Sequence, residues 1–170
     1  MHKIPVVGKF HKVSLKEFSK HFPELSEEEI KKLYDEVLVL PVRASHDSMG
    51  NDFVITKDID LGPGESVKIA TGIRAEMLPG WGLIIAPRSG LGSKFRMQID
   101  NTLGIIDGDY FYADNEGHIM ASITNDSREG KRLQLKAGER FMQGVFMPYG
   151  VAAGDKPLGV RTGGEGSSGL

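Results

Sequence analysis

The chain contains no cysteine among its 170 residues, which excludes disulfide bonds, thiolate catalysis and zinc sites built on cysteine. A large excess of either charge is also missing, because 21 Lys and Arg residues are offset by 23 Asp and Glu residues, for a formal net charge of -2. Proteins that bind duplex nucleic acid usually carry a basic stripe on a basic domain. We therefore expect no stable nucleic-acid partner.

Long apolar runs are missing as well. Neither the start, M-H-K-I-P-V-V-G-K-F, nor any later stretch has the apolar length that a signal peptide or a membrane span requires. We expect a soluble, cytoplasmic protein with no membrane partner. The length suits one domain with a single hydrophobic core and is too short for two domains to be expected.

Two short helices are predicted near the start, each beginning with a capping box in which a serine is followed three residues later by a glutamate. The pairs are Ser14 with Glu17 and Ser26 with Glu29. Apolar residues follow both pairs at helical spacing, so each helix has one face that can be buried. We expect residues 1–38 to form a helical N-terminal extension that packs on the main domain, in preference to a partner-binding segment.

From residue 39 the pattern changes to short strands separated by Gly, Pro, Asn and Asp, which is typical of a β-sandwich or β-barrel. Alternation of apolar and polar residues over residues 67–77 predicts one strand with a buried and an exposed face. Further strands are predicted at residues 81–86, 119–123 and 140–147. The fold class is therefore mainly β.

After Pro148 the sequence becomes rich in glycine. Such a segment has little to bury, so we expect a flexible, Gly-rich C-terminal arm over residues 151–170, with the β domain covering residues 39–150.

The stretch N-T-L-G-I-I-D-G-D-Y-F-Y, over residues 101–112, predicts a hairpin beside a pocket. The β-branched run before Gly108 and the aromatic run after it would form the two arms, with the turn at Gly108. An aspartate held between a strand and an aromatic residue is a candidate general base. Asp107 and Asp109 are equal candidates on this pattern, and either of them could simply cap a turn.

Three further clusters suit phosphate oxygens. Arg88-Ser89-Gly90 offers a guanidinium fork, a hydroxyl and an unhindered backbone N–H, although such a tripeptide is more often only a turn. Arg140 with Gln143 forms the second cluster, and the Gly- and Ser-rich tail that follows Arg161 forms the third. The five histidines show no ligand spacing, so we expect no metal site built on histidine.

These clusters occur in the order and spacing of one family. The sequence resembles the all-β, trimeric dUTPases, in a bacterial and phage branch with a helical N-terminal extension. The five motifs that carry the resemblance are Met49–Phe53, Ala86–Leu91, Asn101–Tyr110, Ala137–Gln143 and the tail from Arg161.

The resemblance implies a distorted jelly-roll or β-barrel fold and the hydrolysis of dUTP to dUMP and pyrophosphate with Mg²⁺. The metal ion would be held by the triphosphate and by water, with no direct protein ligand. The resemblance also implies a homotrimer with shared active sites. Asp107 would activate the water that attacks the α-phosphorus.

The resemblance assigns the uracil to Asn101 and to backbone groups of Gly104, Ile105 and Ile106. The ring of Tyr110 would pack against the deoxyribose and exclude a 2′-hydroxyl. The residues assigned to the triphosphate are Arg88, Ser89, Gly90, Gln143, Arg161, Gly166, Ser167 and Ser168.

Asp52 and Arg140 are assigned to a supporting pair that fixes this site. One position departs from the family pattern, because Glu165 stands where the tail usually carries an aromatic residue that stacks on the uracil. Loss of such a stack costs about 1–3 kcal/mol. We therefore expect weaker substrate binding than is usual in the family, measurable as a raised KM for dUTP.

Two other interpretations stay open. A dCTP deaminase would share the fold, but its pattern has Pro-Gly-Trp after the aspartate, where this chain has Gly108-Asp109-Tyr110. A catalytically impaired member that senses nucleotides by ordering its tail is favoured by Glu165 alone.

Overall fold

The computed structural model describes residues 4–157 together with residues 159 and 163. This part of the chain forms twelve strands, three α-helices, a π-helical turn and a 3₁₀-helix. The strands are β1 (Gly8–Lys12), β2 (Val42–Arg43), β3 (Asn51–Val54), β4 (Ile59–Leu61), β5 (Ser66–Ala70), β6 (Ile73–Met77), β7 (Trp81–Pro87), β8 (Met97–Ile99), β9 (Gly104–Ile106), β10 (Met120–Asn125), β11 (Leu133–Leu135) and β12 (Arg140–Pro148). The helices are α1 (Leu15–Ser19), α2 (Glu27–Lys32) with the π-helical turn Leu33–Val37, α3 (Ser89–Phe95) and the 3₁₀-helix Gly108–Tyr112.

Antiparallel pairing joins the described strands into four sheets. The largest has the order β2-β3-β12-β7-β9, and a three-stranded sheet has the order β5-β10-β8. The other two are the pairs β1-β6 and β11-β4. Because β9 lies at the edge of the five-stranded sheet, one row of its backbone groups has no strand partner among the described residues.

One hydrophobic cluster joins the strands to the N-terminal helices. Phe53, Ile123 and Phe141 enter it from β3, β10 and β12, while Phe18 and Phe22 enter it from α1 and its end. The rings of Phe18 and Phe22 lie 4.7 Å apart, and both side chains are buried. The helices are therefore packed on the β domain, and burial of each such side chain contributes about 1.5–3 kcal/mol to the stability of the fold.

Strand β1 and helix α3 have no counterpart in the predicted elements. β1 pairs with β6 from Gly8 opposite Met77 to Lys12 opposite Ile73, which ties the start of the described chain to the β domain. The domain boundaries at residues 38 and 150 stay predictions. None of the described helices is long and apolar enough to cross a membrane.

The predicted strand over residues 67–77 is two strands, β5 and β6, separated by Thr71 and Gly72. Gly72 has a φ of 71°, a conformation that favours glycine. A Cβ atom at this position would overlap the Leu38 side chain, which closes over the break from the N-terminal helical segment. Local alternation could not predict this break, since it depends on a contact with a distant residue.

The two predicted capping boxes differ in outcome. Ser26 and Glu29 form the predicted reciprocal pair, with the Ser26 amide donating to Glu29 Oε2 at 2.8 Å. Ser14 caps α1, but the carboxylate that accepts from its amide, at 2.7 Å, belongs to Glu116. Glu17 is buried instead, so the predicted box at Ser14 is wrong in its second partner.

Candidate active site

A cavity of about 280 Å³ lies between the edge strand β9 and strand β10. Gly104 allows β9 to approach β7 closely, because a Cβ atom there would lie 2.8 Å from Cβ of Ile85. The predicted site residues that line this cavity are Asn101, Gly104, Ile105, Ile106, Asp107 and Tyr110. The structure therefore brings together the residues assigned to the base, the sugar and the attacking water.

The hairpin predicted around Gly108 is wrong. The chain turns earlier, at residues 100–103, where Thr102 has a φ of 68°, and β9 pairs with β7. Gly108–Tyr112 forms a 3₁₀-helix in place of the second arm. The reason is Tyr110, which is buried and donates a hydrogen bond from its hydroxyl to the His118 carbonyl at 2.8 Å.

Asp107 and Asp109 occupy different positions. Asp107 precedes the 3₁₀-helix with an extended backbone and lines the cavity. Asp109 lies in the first turn of that helix and is not among the lining residues. Both side chains are exposed, but Asp107 is the one that lies beside the cavity.

A second group of polar residues lies where β3, β12 and β7 run side by side. Asp52 on β3 is buried, forms an ion pair with Arg88 at 3.1 Å from its Nε, and accepts a hydrogen bond from Arg140 Nη1 at 3.0 Å. The amide of Gln143 on β12 donates to the Pro87 carbonyl at 3.4 Å. One carboxylate thus holds two guanidinium groups beside Gln143, a fixed cationic surface that suits a polyanion.

Ser89 and Gly90 continue from this surface as the first two residues of α3, and both are exposed. No other atom lies within 4 Å of the position that a Cβ of Gly90 would occupy, which leaves its backbone open to a ligand. None of the residues in this second group lines the cavity beside β9. Within the described part of one chain, the predicted site is therefore two separate groups.

The predicted tail residues Arg161, Gly166, Ser167 and Ser168 lie outside the described residues, as does Glu165. Their assignments stay predictions.

Seven further residues line the cavity and were not predicted as site residues. They are Ile85, Ile99, Asp100, Ile119, Met120, Ala121 and Ser122. The Asp100 amide donates to the Ser122 carbonyl at 3.0 Å, which fixes the start of the turn against β10. Met120 and Ser122 alternate with the buried residues Ala121 and Ile123. The sequence showed that alternation. It did not show that β9 lies across the cavity from β10.

A cluster of side chains of the kinds that bind metal ions lies next to Tyr110. It consists of Glu17, His21 and His118. His118 Nδ1 lies 3.8 Å from Glu17 Oε1, whose other carboxylate oxygen is paired with Lys20. The Gly72 amide donates to His118 Nε2 at 2.8 Å, so Nε2 must carry a lone pair and Nδ1 the proton. A metal ion on Nδ1 would require the lone pair that this proton occupies, so the arrangement suits a buried neutral histidine.

Burial, together with the neighbouring His21, lowers the pKa of His118 to about 4 from its usual value of 6.5. Between these two values the folded protein keeps His118 neutral, whereas the unfolded chain binds the proton. The free energy of unfolding should therefore keep its full value above pH 6.5 and decline as the pH falls towards 4. The contribution of His118 to this decline should be about 3 kcal/mol.

The free energy of unfolding, measured at fixed protein concentration between pH 7 and pH 4, checks this expectation. His118→Gln should flatten the decline, whereas His46→Gln should leave it unchanged, because the His46 side chain is 92% exposed. The same pH slope for wild type and His118→Gln would contradict the assignment.

Together, the fold and the two groups of residues define a β-sheet domain with a candidate site for a planar base and for a polyanion. The family model for dUTPase matches residues 37–169. The chain belongs to the dUTPase family.

Individual relatives agree with this membership. The deoxyuridine 5′-triphosphate nucleotidohydrolase of Lactococcus lactis is 38% identical over 133 residues, which cover 76% of this chain and 87% of that protein. The protein of the same name from Shewanella baltica is 38% identical over 112 residues, covering 64% of this chain and 69% of its own length. The crystal structure of the dUTPase from Streptococcus mutans superimposes with a TM-score of 0.64 at 32% identity, covering 85% of this chain and 98% of that one.

Proposed function

We propose that this chain hydrolyses dUTP to dUMP and pyrophosphate, the reaction for which its relatives are named. The observation that carries the proposal is the position of Asp107, which lies beside a cavity lined by an edge strand and by a buried tyrosine. Such a cavity offers backbone recognition, a flat apolar wall and a carboxylate within one small volume.

The edge strand β9 accounts for recognition of the base. The row of N–H and C=O groups that has no strand partner within residues 4–157 can form hydrogen bonds with the carbonyl oxygens and the N3–H of uracil, and the Asn101 amide can add another. The base would be recognised by the backbones of Gly104, Ile105 and Ile106. The side chain of Ile105 is exposed, which is compatible with recognition by its backbone. The Tyr110 ring would lie against the deoxyribose.

Asp107 would accept a proton from the water that attacks the α-phosphorus. In this step the bond from the water oxygen to the α-phosphorus forms, and the bond from that phosphorus to the bridging oxygen of the β-phosphate breaks. Pyrophosphate leaves, and the proton is held on the Asp107 carboxylate until solvent takes it.

Arg88, Ser89, Gly90 and Gln143 would bind the triphosphate, with Asp52 and Arg140 as the pair that fixes Arg88. Support comes from the two charge-assisted contacts of Asp52, at 3.1 and 3.0 Å. The tail would add Arg161, Gly166, Ser167 and Ser168. The bound Mg²⁺ would supply charge neutralisation on the phosphates and would keep much of its water shell. Asp52 is already paired with two guanidinium groups, so its negative charge is compensated and it is poorly suited to bind that ion.

Because the cavity and the arginine surface are separate on one chain, we also propose that they meet between subunits of a homotrimer. Asp107→Asn and Arg88→Ala variants, each inactive alone, should then recover activity after mixed reassembly. About a quarter of the sites would carry both intact residues if the subunits exchange at random. No recovery in verified mixed trimers would place both residues in a site built by one chain.

Hydrolysis of dUTP in ¹⁸O-labelled water with Mg²⁺ tests the chemistry. We expect the label in dUMP, since attack occurs at the α-phosphorus, and loss of activity when a chelator removes the metal ion. Label in pyrophosphate would contradict attack at that phosphorus. Release of ammonia from dCTP would favour the deaminase alternative, which the family comparisons do not favour.

A further inference from the structure

The hydroxyl group of Tyr110 is held by two hydrogen bonds. It donates to the His118 carbonyl at 2.8 Å and accepts from Nδ2 of Asn115 at 2.9 Å. The residue is buried, and it also lines the cavity beside β9. The position of the phenol ring in that lining is therefore set by the groups that hold its hydroxyl.

The amide of Asn115 is itself fixed in orientation. Its Oδ1 accepts from the Gly117 amide at 3.2 Å, which leaves Nδ2 to donate to the tyrosine hydroxyl. The proton of that hydroxyl must then point to the His118 carbonyl, as observed. All three bonds are consistent with one another, so each partner constrains the next.

The turn that carries Asn115 folds tightly over Tyr110. Glu116 and Gly117 have φ values of 58° and 67°. A Cβ atom on Gly117 would lie 2.6 Å from the Tyr110 carbonyl oxygen and 2.7 Å from Cα of Phe111. The turn therefore needs glycine at this point to approach the tyrosine as closely as it does.

Helix α1 braces the same turn from the other side. Glu116 accepts from the Ser14 amide at 2.7 Å and from the Ser14 hydroxyl at 2.6 Å. Glu17, one turn further along α1, lies 3.8 Å from His118. Contacts from Ser14 and Glu17, one helical turn apart, thus connect the N-terminal helix to the residues that hold Tyr110.

We propose that Asn115 is a positioning residue for the rejection of ribonucleotides, and that α1 supports it through Ser14 and Glu116. The proposal rests on the proposed function, in which the Tyr110 ring leaves no room for a 2′-hydroxyl. Asn115 does not touch the substrate. It fixes how far the ring projects into the cavity, and this distance sets the space beside the sugar.

The test compares kcat/KM for dUTP with kcat/KM for UTP in wild type and variants. Asn115→Ala should lower this ratio by roughly three- to tenfold, the factor that corresponds to one net hydrogen bond. The kcat for dUTP should stay within about twofold, because Asp107 is undisturbed. Ser14→Ala should shift the ratio in the same direction by a smaller factor. Ser14 is exposed, so this substitution leaves the hydrophobic core unchanged.

Two controls separate positioning from general loss of structure. Asp114→Ala changes an exposed residue next to Asn115 and should leave the ratio unchanged. Tyr110→Phe removes the hydroxyl, so adding Asn115→Ala to that variant should have no further effect on the ratio. A purely structural role would lower kcat/KM for both nucleotides equally and leave the ratio unchanged.

An unchanged ratio in Asn115→Ala and in Ser14→Ala, with Tyr110→Phe altered, would overturn the inference while the proposed function stands. Independent, additive effects of Tyr110→Phe and Asn115→Ala on the ratio would overturn it as well. A wild-type protein that releases no pyrophosphate from dUTP would instead refute the proposed function, so the two failures are distinguishable.

Discussion

Asp107→Asn should reduce pyrophosphate release from dUTP by about 10²- to 10⁴-fold, the range that a positioned general base contributes. The amide keeps the shape of the side chain and can still contact a water molecule, but it cannot accept the proton. Asp107 is exposed at the cavity, so its replacement should leave folding and substrate binding nearly intact. The loss should therefore appear in kcat.

Asp109→Asn is the matched control. This aspartate is two residues away, is also exposed and does not line the cavity. We expect its kcat to stay within a few-fold of wild type. Equal losses in both variants would contradict the assignment of the base to Asp107, as would a large loss in Asp109→Asn alone.

Asp52→Asn should lower kcat/KM for dUTP by about 10- to 100-fold, although Asp52 is not placed in contact with the reacting atoms. Its side chain is 7% exposed and forms ion pairs with both Arg88 and Arg140. The neutral amide cannot hold two guanidinium groups in this way, so Arg88 loses its fixed direction towards the triphosphate. Misplacement of a binding group by about 1 Å can cost 10²-fold in rate.

Asp60→Asn provides the comparison for Asp52. Asp60 on β4 also pairs with an arginine, since Arg132 Nε lies 2.7 Å from its carboxylate, but both side chains are about half exposed. Exposed pairs of this kind contribute little to stability. Steady-state kinetics on both variants should therefore show a loss only for Asp52→Asn, and equal kinetics would contradict the supporting role.

Local pattern was sufficient to predict several strands and the second capping box. Strands β10 and β12 were predictable because their apolar residues recur along the sequence in a way that lets one face of each strand be buried. Ser26 and Glu29 pair because both partners are in the same helical turn. These features depend on neighbours in the sequence.

Features that depend on distant contacts were not predictable from local pattern. Glu116 replaces Glu17 at the start of α1 across 102 residues. Tyr110 turns a predicted hairpin arm into a 3₁₀-helix because its hydroxyl reaches His118. At Ser14 a carboxylate from elsewhere in the fold takes the place that the local pattern had assigned to Glu17, and at Tyr110 a side-chain hydrogen bond overrides the local turn pattern.

The candidate site shows the same division. The motif resemblance predicted the residues around the cavity, including Asp107, because the family pattern fixes their order along the chain. It did not indicate Met120 or Ser122, which line the cavity from β10. It also gave no role to Asn115, whose contact with Tyr110 exists only once the turn has folded.

The decisive measurement is pyrophosphate release with dUTP, UTP, dCTP and dTTP under identical conditions. We expect rapid release from dUTP and far slower release from the other three nucleotides. Comparable rates with all four nucleotides, or no release from dUTP by the folded protein, would contradict the proposed function.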